Sequence, residues 1–303
     1  MSARRGFTLV ELAVALVLGL MVGGLVHRML LHAQRLARAQ AERMALNESV
    51  RVAALVLSGE LGAIGYDEVT PEVSLAVGSP AGVRSDLLAA EPGAVTYLAP
   101  RGAGRVCLAA GGPIPEIVLA ASSWESLRAP RATDSLLVFV EGNPATGSDD
   151  AWIHLGVVSA GAGSCSGGEA GIAVRVAVPA GLDPGAPALV TPGAPVRLAE
   201  VMQMRHYRSG GKSWFGMRSG STGEAITPVA GPLADSSAGV RGLTLIYRDA
   251  ADRPTSDLAA VRAVEIALIG VTEQPIHGRD LRRPLVDSLA LDTRVVPRNG
   301  LRP

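Results

Sequence analysis

An almost unbroken apolar run begins near the start of the chain, at residue 7, and extends to residue 31. About 20 apolar residues in a helix rise about 30 Å, which is the thickness of the hydrocarbon core of a bilayer. The run therefore predicts a membrane-spanning helix over residues 7–31. Between residues 7 and 26, its only polar interruptions are Thr8 and Glu11. Because a charged carboxylate at membrane depth costs about 2.5–3.5 kcal/mol, and no cation lies within one helical turn, Glu11 needs a partner or a role.

The helical pattern continues beyond the membrane run. Apolar residues recur at helical spacing in one stripe made of Leu46, Val50, Ala53, Ala54, Leu57, Leu61 and Ile64. No proline occurs before Pro71, so we expect one helix over residues 7–66, with a soluble amphipathic part at 32–66 and an end near Gly65. The alternative is two helices separated by a break at the glycine pair 23–24.

From residue 67 to residue 303 the pattern changes to short β-like runs divided by Gly and Pro. Predicted strands lie at 94–98, 105–109, 117–120, 135–140, 152–158, 172–178, 196–207, 213–218, 240–248, 261–271 and 285–296. Residues 142–150 and 159–170 are predicted to be mobile loops. The glycine-rich residues 102–104 are predicted to form a turn. The fold class is therefore α+β, with a long N-terminal α-helix packed on a β-rich globular domain of antiparallel strands.

The sequence Gly-Phe-Thr-Leu-Val-Glu at positions 6–11 resembles the processing site of the type IV pilin family, which includes the pseudopilins of type II secretion. The resemblance implies a leader at residues 1–6, cleavage after Gly6 by a prepilin peptidase and N-methylation of Phe7. It also implies that Glu11 meets the N-terminus of a neighbouring subunit during assembly, which would pair both charges. Two alternatives are a secretory signal cleaved at residues 37–39 and a plain single-span anchor.

The same resemblance implies where the chain works and which partners it meets. The helix would hold the protein in the inner membrane as a single pass, with the C-terminal domain outside the cytoplasm. Partners would be the prepilin peptidase, other minor and major pilins contacted through the N-terminal helix, and an inner-membrane assembly platform. With Lys+Arg 28 against Asp+Glu 28, the net charge gives no indication of nucleic-acid binding.

The two cysteines, Cys107 and Cys165, both lie in the part expected to be exported. Free thiols there would be exposed to oxidation, so we expect a disulfide between them, with two unpaired cysteines as the alternative. Asp149 and Asp150 offer oxygen ligands for Ca²⁺, but the full spacing of a calcium loop is missing, and a solvated acidic turn is the other interpretation. We predict no catalytic residues, no metal and no cofactor, and therefore no enzymatic activity.

A more specific resemblance concerns the segment after the membrane run. Asn-x-x-x-Arg at 47–51 and Ala-Ile-Gly-Tyr at 63–66 look like the corresponding segment of PilW-type minor pilins. The strand order 239–249, 261–271 and a terminal strand resembles the C-terminal sheet of PilW-type and J-type subunits. The expected function is that of a minor pilin in pilus priming or at the pilus tip. The alternatives are a J-type pseudopilin and a membrane-anchored periplasmic enzyme.

Overall fold

The structure, a computed structural model, describes residues 8–64, 86–110, 115–126, 128–141, 151–178, 190–235, 241–277 and 284–297. Its first element is one α-helix, α1 (Leu9–Gly62), of 54 residues, which corresponds to about 80 Å at 1.5 Å per residue. The helix continues through Gly23 and Gly24, so the two-helix alternative is wrong. It ends at Gly62, slightly earlier than predicted, and residues 65 and 66 lie outside the described residues.

The remaining described elements are mainly β-strands. Their bounds are β1 (Leu87–Glu91), β2 (Ala94–Ala110), β3 (Glu116–Ala120), β4 (Glu125–Ser126), β5 (Ser135–Val140), β6 (Ala151–Ser164), β7 (Ala170–Ala177), β8 (Pro195–Ser209), β9 (Lys212–Ser219), β10 (Thr227–Leu233), β11 (Leu243–Arg248), β12 (Ala263–Val271), β13 (Ile276–His277), β14 (Pro284–Leu285) and β15 (Ser288–Val295). Every pairing among them is antiparallel. The predicted α+β fold, a long helix followed by an antiparallel β-rich domain, is confirmed.

Six strands close into a barrel, which we call the barrel lobe. They follow one another in the order β2, β3, β7, β6, β5 and β8, and β8 pairs again with β2. Closure removes the unpaired edges that an open sheet would present. The interior is filled by Val106, Ile117, Leu119, Leu136, Val138, Val140, Ile153, Leu155, Val157, Val174, Val176, Val190, Ala194, Val196 and Leu198.

The second lobe, which we call the helix lobe, combines the soluble half of α1 with β1, β9, β10, β11, β12 and β15. It also uses the first half of β2 and the second half of β8, and these two strands pair from Ala94 opposite Arg205 to Arg105 opposite Pro195. Both lobes therefore share β2 and β8. The main contacts of α1 are with β10, β12, β13 and β15, none of which belongs to the barrel.

Several segments of the β-rich domain differ from their predictions. The glycines at 102–104 lie inside β2 rather than in a turn. Strand β4 pairs with β2 at this point, and a Cβ at Gly102 would lie 2.5 Å from the Cβ of Ser126. Residues 159–170 mostly extend β6 and begin β7, with a tight turn after Cys165. Strands β1, β4, β10 and β13 were not predicted. The loop at 142–150, with the suggested calcium ligands Asp149 and Asp150, lies outside the described residues.

Candidate assembly helix

The helix begins with a capping box between Thr8 and Glu11. The Thr8 hydroxyl accepts a hydrogen bond from the Glu11 backbone N–H at 3.3 Å. In return, Glu11 Oε2 accepts from the Thr8 backbone N–H at 2.9 Å and from the Thr8 hydroxyl at 3.0 Å. This arrangement satisfies backbone donors that a helix start leaves open, and it places the carboxylate at the positive end of the helix dipole. Glu11 therefore has a local partner even in a single chain.

Thr8 was not predicted from the sequence as the partner of Glu11. The signal was present as Thr-x-x-Glu directly before an apolar run, which is the sequence pattern of a capping box. Gly6 and Phe7, the residues assigned to cleavage and methylation, lie outside the described residues, as does the rest of the leader. The structure places Glu11 in the first turn of α1, three residues after the capping threonine.

Within the part of the chain that the structure describes, the first half of α1 packs against no other element. All its large apolar side chains from Leu9 to Leu31 are exposed, with exposed fractions between 40% and 84%. Leu9–Gly62 is long and apolar enough to cross a membrane. An apolar helix that is exposed all round needs lipid or neighbouring helices to cover it, because water would leave its whole apolar surface uncompensated. These features indicate membrane anchoring of the N-terminal half.

The second half of α1 lies on the helix lobe. The predicted apolar stripe is confirmed: Leu46, Val50, Ala53, Leu57, Leu61 and Ile64 are buried, and Ala54 is partly buried against the same core. The helix packs tightly against the sheet at Gly270 of β12. A Cβ there would lie 2.7 Å from Leu46 Cδ1 and would also collide with Val50. Only glycine leaves room for this approach.

Polar contacts fix the helix along its length. Ser49 makes two hydrogen bonds with Gly231 of β10: its hydroxyl donates to the carbonyl at 3.0 Å and accepts from the N–H at 2.7 Å. Arg43 donates to Asp287 at 2.9 Å, and this hydrogen bond lowers the pKa of Asp287. Glu42 accepts from the backbone N–H of Gln274 at 3.1 Å. These bonds hold α1 in one rotation and register on the sheet.

Near its C-terminal end the helix joins a chain of charged residues, which we call the ionic chain: Glu60, Arg101, Glu200, Arg128 and Asp134. Glu60 accepts from the Tyr97 hydroxyl at 2.7 Å and pairs with Arg101 at 3.3 Å. Burial, followed by the nearby Glu60 carboxylate, raises the pKa of Tyr97, so its hydroxyl remains a donor. Arg101 is the extra residue of a bulge in β2, where the register shifts between Pro100 and Gly102. Such a bulge re-aims a side chain.

The ionic chain continues from the helix lobe to the barrel lobe. Arg101 pairs with Glu200 of β8 at 3.1 Å, and Glu200 pairs with Arg128 at 3.3 Å. Arg128 donates two hydrogen bonds, at 2.6 Å and 3.0 Å, to Asp134, whose side chain is fully buried directly before β5. Burial alone would raise the pKa of Glu200, but hydrogen bonds from Ser219 and Arg101 outweigh it and lower that pKa. The helix end is thus linked electrostatically to the barrel.

Cys107 and Cys165 are joined by a disulfide with a Cα–Cα distance of 5.4 Å. Cys107 lies in β2, and Cys165 lies in the turn between β6 and β7, where its backbone N–H donates to Glu169 and its carbonyl accepts from Gly168. The bond ties this turn to a neighbouring part of the barrel. Among the described residues, no group of three His, Cys, Asp or Glu side chains is arranged to hold a metal ion.

Comparison with known proteins bears on the start of the chain. Residues 1–26 match the profile of the prokaryotic N-terminal methylation motif. This motif supports a pilin or pseudopilin. It implies processing by a prepilin peptidase and assembly with other pilins in general, and with the exposed apolar helix it indicates inner-membrane anchoring. No curated protein and no solved structure matches the chain.

Proposed function

We propose that this protein is a minor pilin: a non-enzymatic structural subunit of a type IV pilus that acts in assembly priming or at the pilus tip. The observation that carries the proposal is the combination of the methylation motif at residues 1–26 with a continuous 54-residue helix. Half of that helix is exposed and apolar, and the other half is fixed to a folded domain. In this arrangement the helix serves both as membrane anchor and as assembly element.

The bulk of the domain favours a tip or priming position over the repeating position. The barrel lobe adds β3, β5, β6 and β7 to the two strands that it shares with the helix lobe, and the main contacts of α1 are made outside the barrel. In a filament of many copies, each barrel would have to fit beside its neighbours at every step along the axis. At a tip, the barrel lobe has no such neighbour above it. PilW-type minor pilins, which the segment at 47–66 resembles, fit this position.

A J-type pseudopilin of type II secretion is the second candidate. In the C-terminal sheet, β12 pairs with both β11 and β15. The C-terminal sheets of PilW-type and J-type subunits both resemble this three-stranded arrangement, so it favours the two candidates equally. Deleting the gene distinguishes the two. A minor pilin predicts loss of surface pili with protein secretion unchanged, whereas a pseudopilin predicts loss of secretion with pili unchanged.

Glu11 provides the sharpest test of an assembly role. In a single chain its carboxylate caps the helix, and in an assembly it would instead pair with the N-terminal amine of Phe7 in an adjacent processed subunit. Glu11→Gln keeps a side chain able to complete the capping box but removes the charge. If ion pairing drives recruitment, the Glu11→Gln protein should fail to co-purify with partner pilins, and cells that carry it should lack surface pili. Both losses should be as complete as for Glu11→Ala.

Two controls separate pairing from capping and processing. Thr8→Ala removes the cap, at a cost of about 1 kcal/mol, but keeps the carboxylate, so recruitment should persist. Gly6→Ala should block cleavage and recruitment, whereas Ser2→Ala in the same leader should leave both intact. Membrane insertion and domain folding should survive the Glu11 variants, because the buried core of the helix begins at Ala39. If Gly6→Ala and Glu11→Ala both assemble at wild-type levels, the helix is only an anchor, as a membrane-bound enzyme would require.

A further inference from the structure

An aromatic groove lies on the face of the helix lobe that points away from its core. Tyr207 of β8 and Trp214 of β9 are directly opposite each other in the antiparallel pair, so their side chains stand on the same face. The next pair, His206 and Phe215, faces the other way, and Phe215 is fully buried in the core with α1. Tyr207 and Trp214 are only partly buried. The two rings are therefore presented outward together.

Glycines beneath the rings hold them close to the backbone. A Cβ at Gly216 would collide with the Tyr207 ring and would lie 2.9 Å from Ile226. A Cβ at Gly231 would lie 2.7 Å from Cε3 of Trp214. The Trp214 indole N–H donates to the Ser209 carbonyl at 3.2 Å, which fixes the orientation of the ring. The aromatic pair is thus held in place by the backbone of three adjacent strands.

The space beside these rings is an open groove of about 630 Å³, bordered also by Ile226, Pro228, Arg208 and Lys212. This volume falls within the range of small-molecule sites in proteins, about 300–1,000 Å³. Both cations are paired: Lys212 with Glu273 at 2.6 Å and Arg208 with Asp235 at 2.9 Å. The border therefore offers donors and acceptors without a strong net charge.

We infer that this groove binds a neutral oligosaccharide, with sugar rings stacked on Tyr207 and Trp214. A pyranose ring presents a flat C–H face that can lie on an aromatic ring, and its rim of hydroxyl groups can bond to paired charges and backbone groups. A single-stranded nucleic acid also stacks on aromatic residues, but its phosphates need unpaired cations along the groove. The pairing of Lys212 and Arg208 favours the sugar. This inference is independent of the assembly role of α1.

The test is calorimetric titration of the full-length protein in a detergent without a sugar headgroup. The probes are cellohexaose, chitohexaose and a dT20 oligonucleotide. We expect saturable binding of at least one of the two neutral glycans, little changed between 50 mM and 500 mM NaCl. Trp214→Ala and Tyr207→Ala should each weaken it about tenfold or more, whereas Tyr207→Phe, which keeps the stacking surface, should bind nearly as the wild type does.

Two further variants keep the inference falsifiable if an aromatic substitution unfolds the protein. Ala225 is exposed at the border of the groove, and Ala225→Trp should fill the groove and abolish glycan binding without removing either ring. Trp152→Ala removes a tryptophan of the barrel lobe, where it contacts Phe139 and Arg197, and should leave binding unchanged. The inference is overturned if neither glycan saturates at millimolar concentration, or if binding survives Ala225→Trp. Tight, salt-sensitive binding of dT20 in place of the glycans would also overturn it.

Discussion

Replacing Arg101 by methionine should loosen the C-terminal end of α1 from the domain. Methionine keeps an unbranched apolar stem but removes the charge that joins Glu60 of the helix to Glu200 of β8. Arg101 makes one charge-assisted hydrogen bond to each, and such bonds contribute about 1.5–3 kcal/mol each. In the variant, Glu60 still accepts a hydrogen bond from Tyr97, and Glu200 still contacts Ser219 and Arg128. We therefore expect the free energy of unfolding to fall by about 2–4 kcal/mol rather than by the full sum.

The assay is urea denaturation of the purified full-length protein, followed by the fluorescence of its three tryptophans, all of which lie in the β-rich domain. The matched control is Arg253→Met, because the Arg253 side chain is 76% exposed and its ion pair with Asp249 should contribute less than about 1 kcal/mol. If Arg101→Met and Arg253→Met lower the free energy of unfolding equally, the ionic chain does not stabilise the docking of the helix.

The pH dependence of stability provides an independent check on the same variant. The pKa of Glu200 is lowered in the folded protein from its ordinary value of 4.5. Its contribution to stability is therefore present above that value and is lost as the pH falls through the lower, folded pKa. Without Arg101 one hydrogen bond that lowers this pKa is missing. Arg101→Met should therefore lose less stability than the wild type between neutral and acidic pH, and an unchanged acid response would contradict the assignment.

Two further predictions concern packing and covalent structure. Gly270→Val should drive a side chain into Leu46 and Val50 and destabilise the domain by about 1–3 kcal/mol. Gly59→Ala is the control: it has free space around it in the helix and should stabilise the protein by up to about 1 kcal/mol. Equal effects of the two substitutions in a denaturation assay would contradict this packing. Peptide mapping without reductant should recover Cys107 joined to Cys165, and alkylation of both thiols in freshly isolated native protein would refute the bond.

The helix and several strands could be predicted because their periodicity is local. The stripe from Leu46 to Ile64 repeats at helical spacing, and β12 alternates between buried and partly buried residues as a half-buried strand should. Strand β10 escaped prediction because Pro228 and Pro232 argue against a strand in the sequence. Its irregular pairing with β9, in which the register shifts twice, accommodates residues that cannot donate a ladder hydrogen bond.

The barrel and the ionic chain could not be predicted, because both depend on contacts between distant residues. Closure requires β2 to continue through its glycines and pair with β8, about 100 residues later. Glu60, Arg101 and Glu200 meet only once that pairing exists, and no local pattern marks them. The capping partner of Glu11 was different. Thr8 lies three residues away, and its spacing from Glu11 is visible in the sequence as Thr-x-x-Glu.

The mature N-terminus shows most directly whether the chain is processed and assembled as a pilin. N-terminal sequencing and intact mass should be measured on protein extracted from its native membrane. If the chain is processed as a pilin, residues 1–6 are lost and the mature chain starts at N-methylated Phe7, since the methylation motif covers residues 1–26. A chain that begins at Met1 or Ser2, or at Gln40 after signal cleavage, would contradict the assignment.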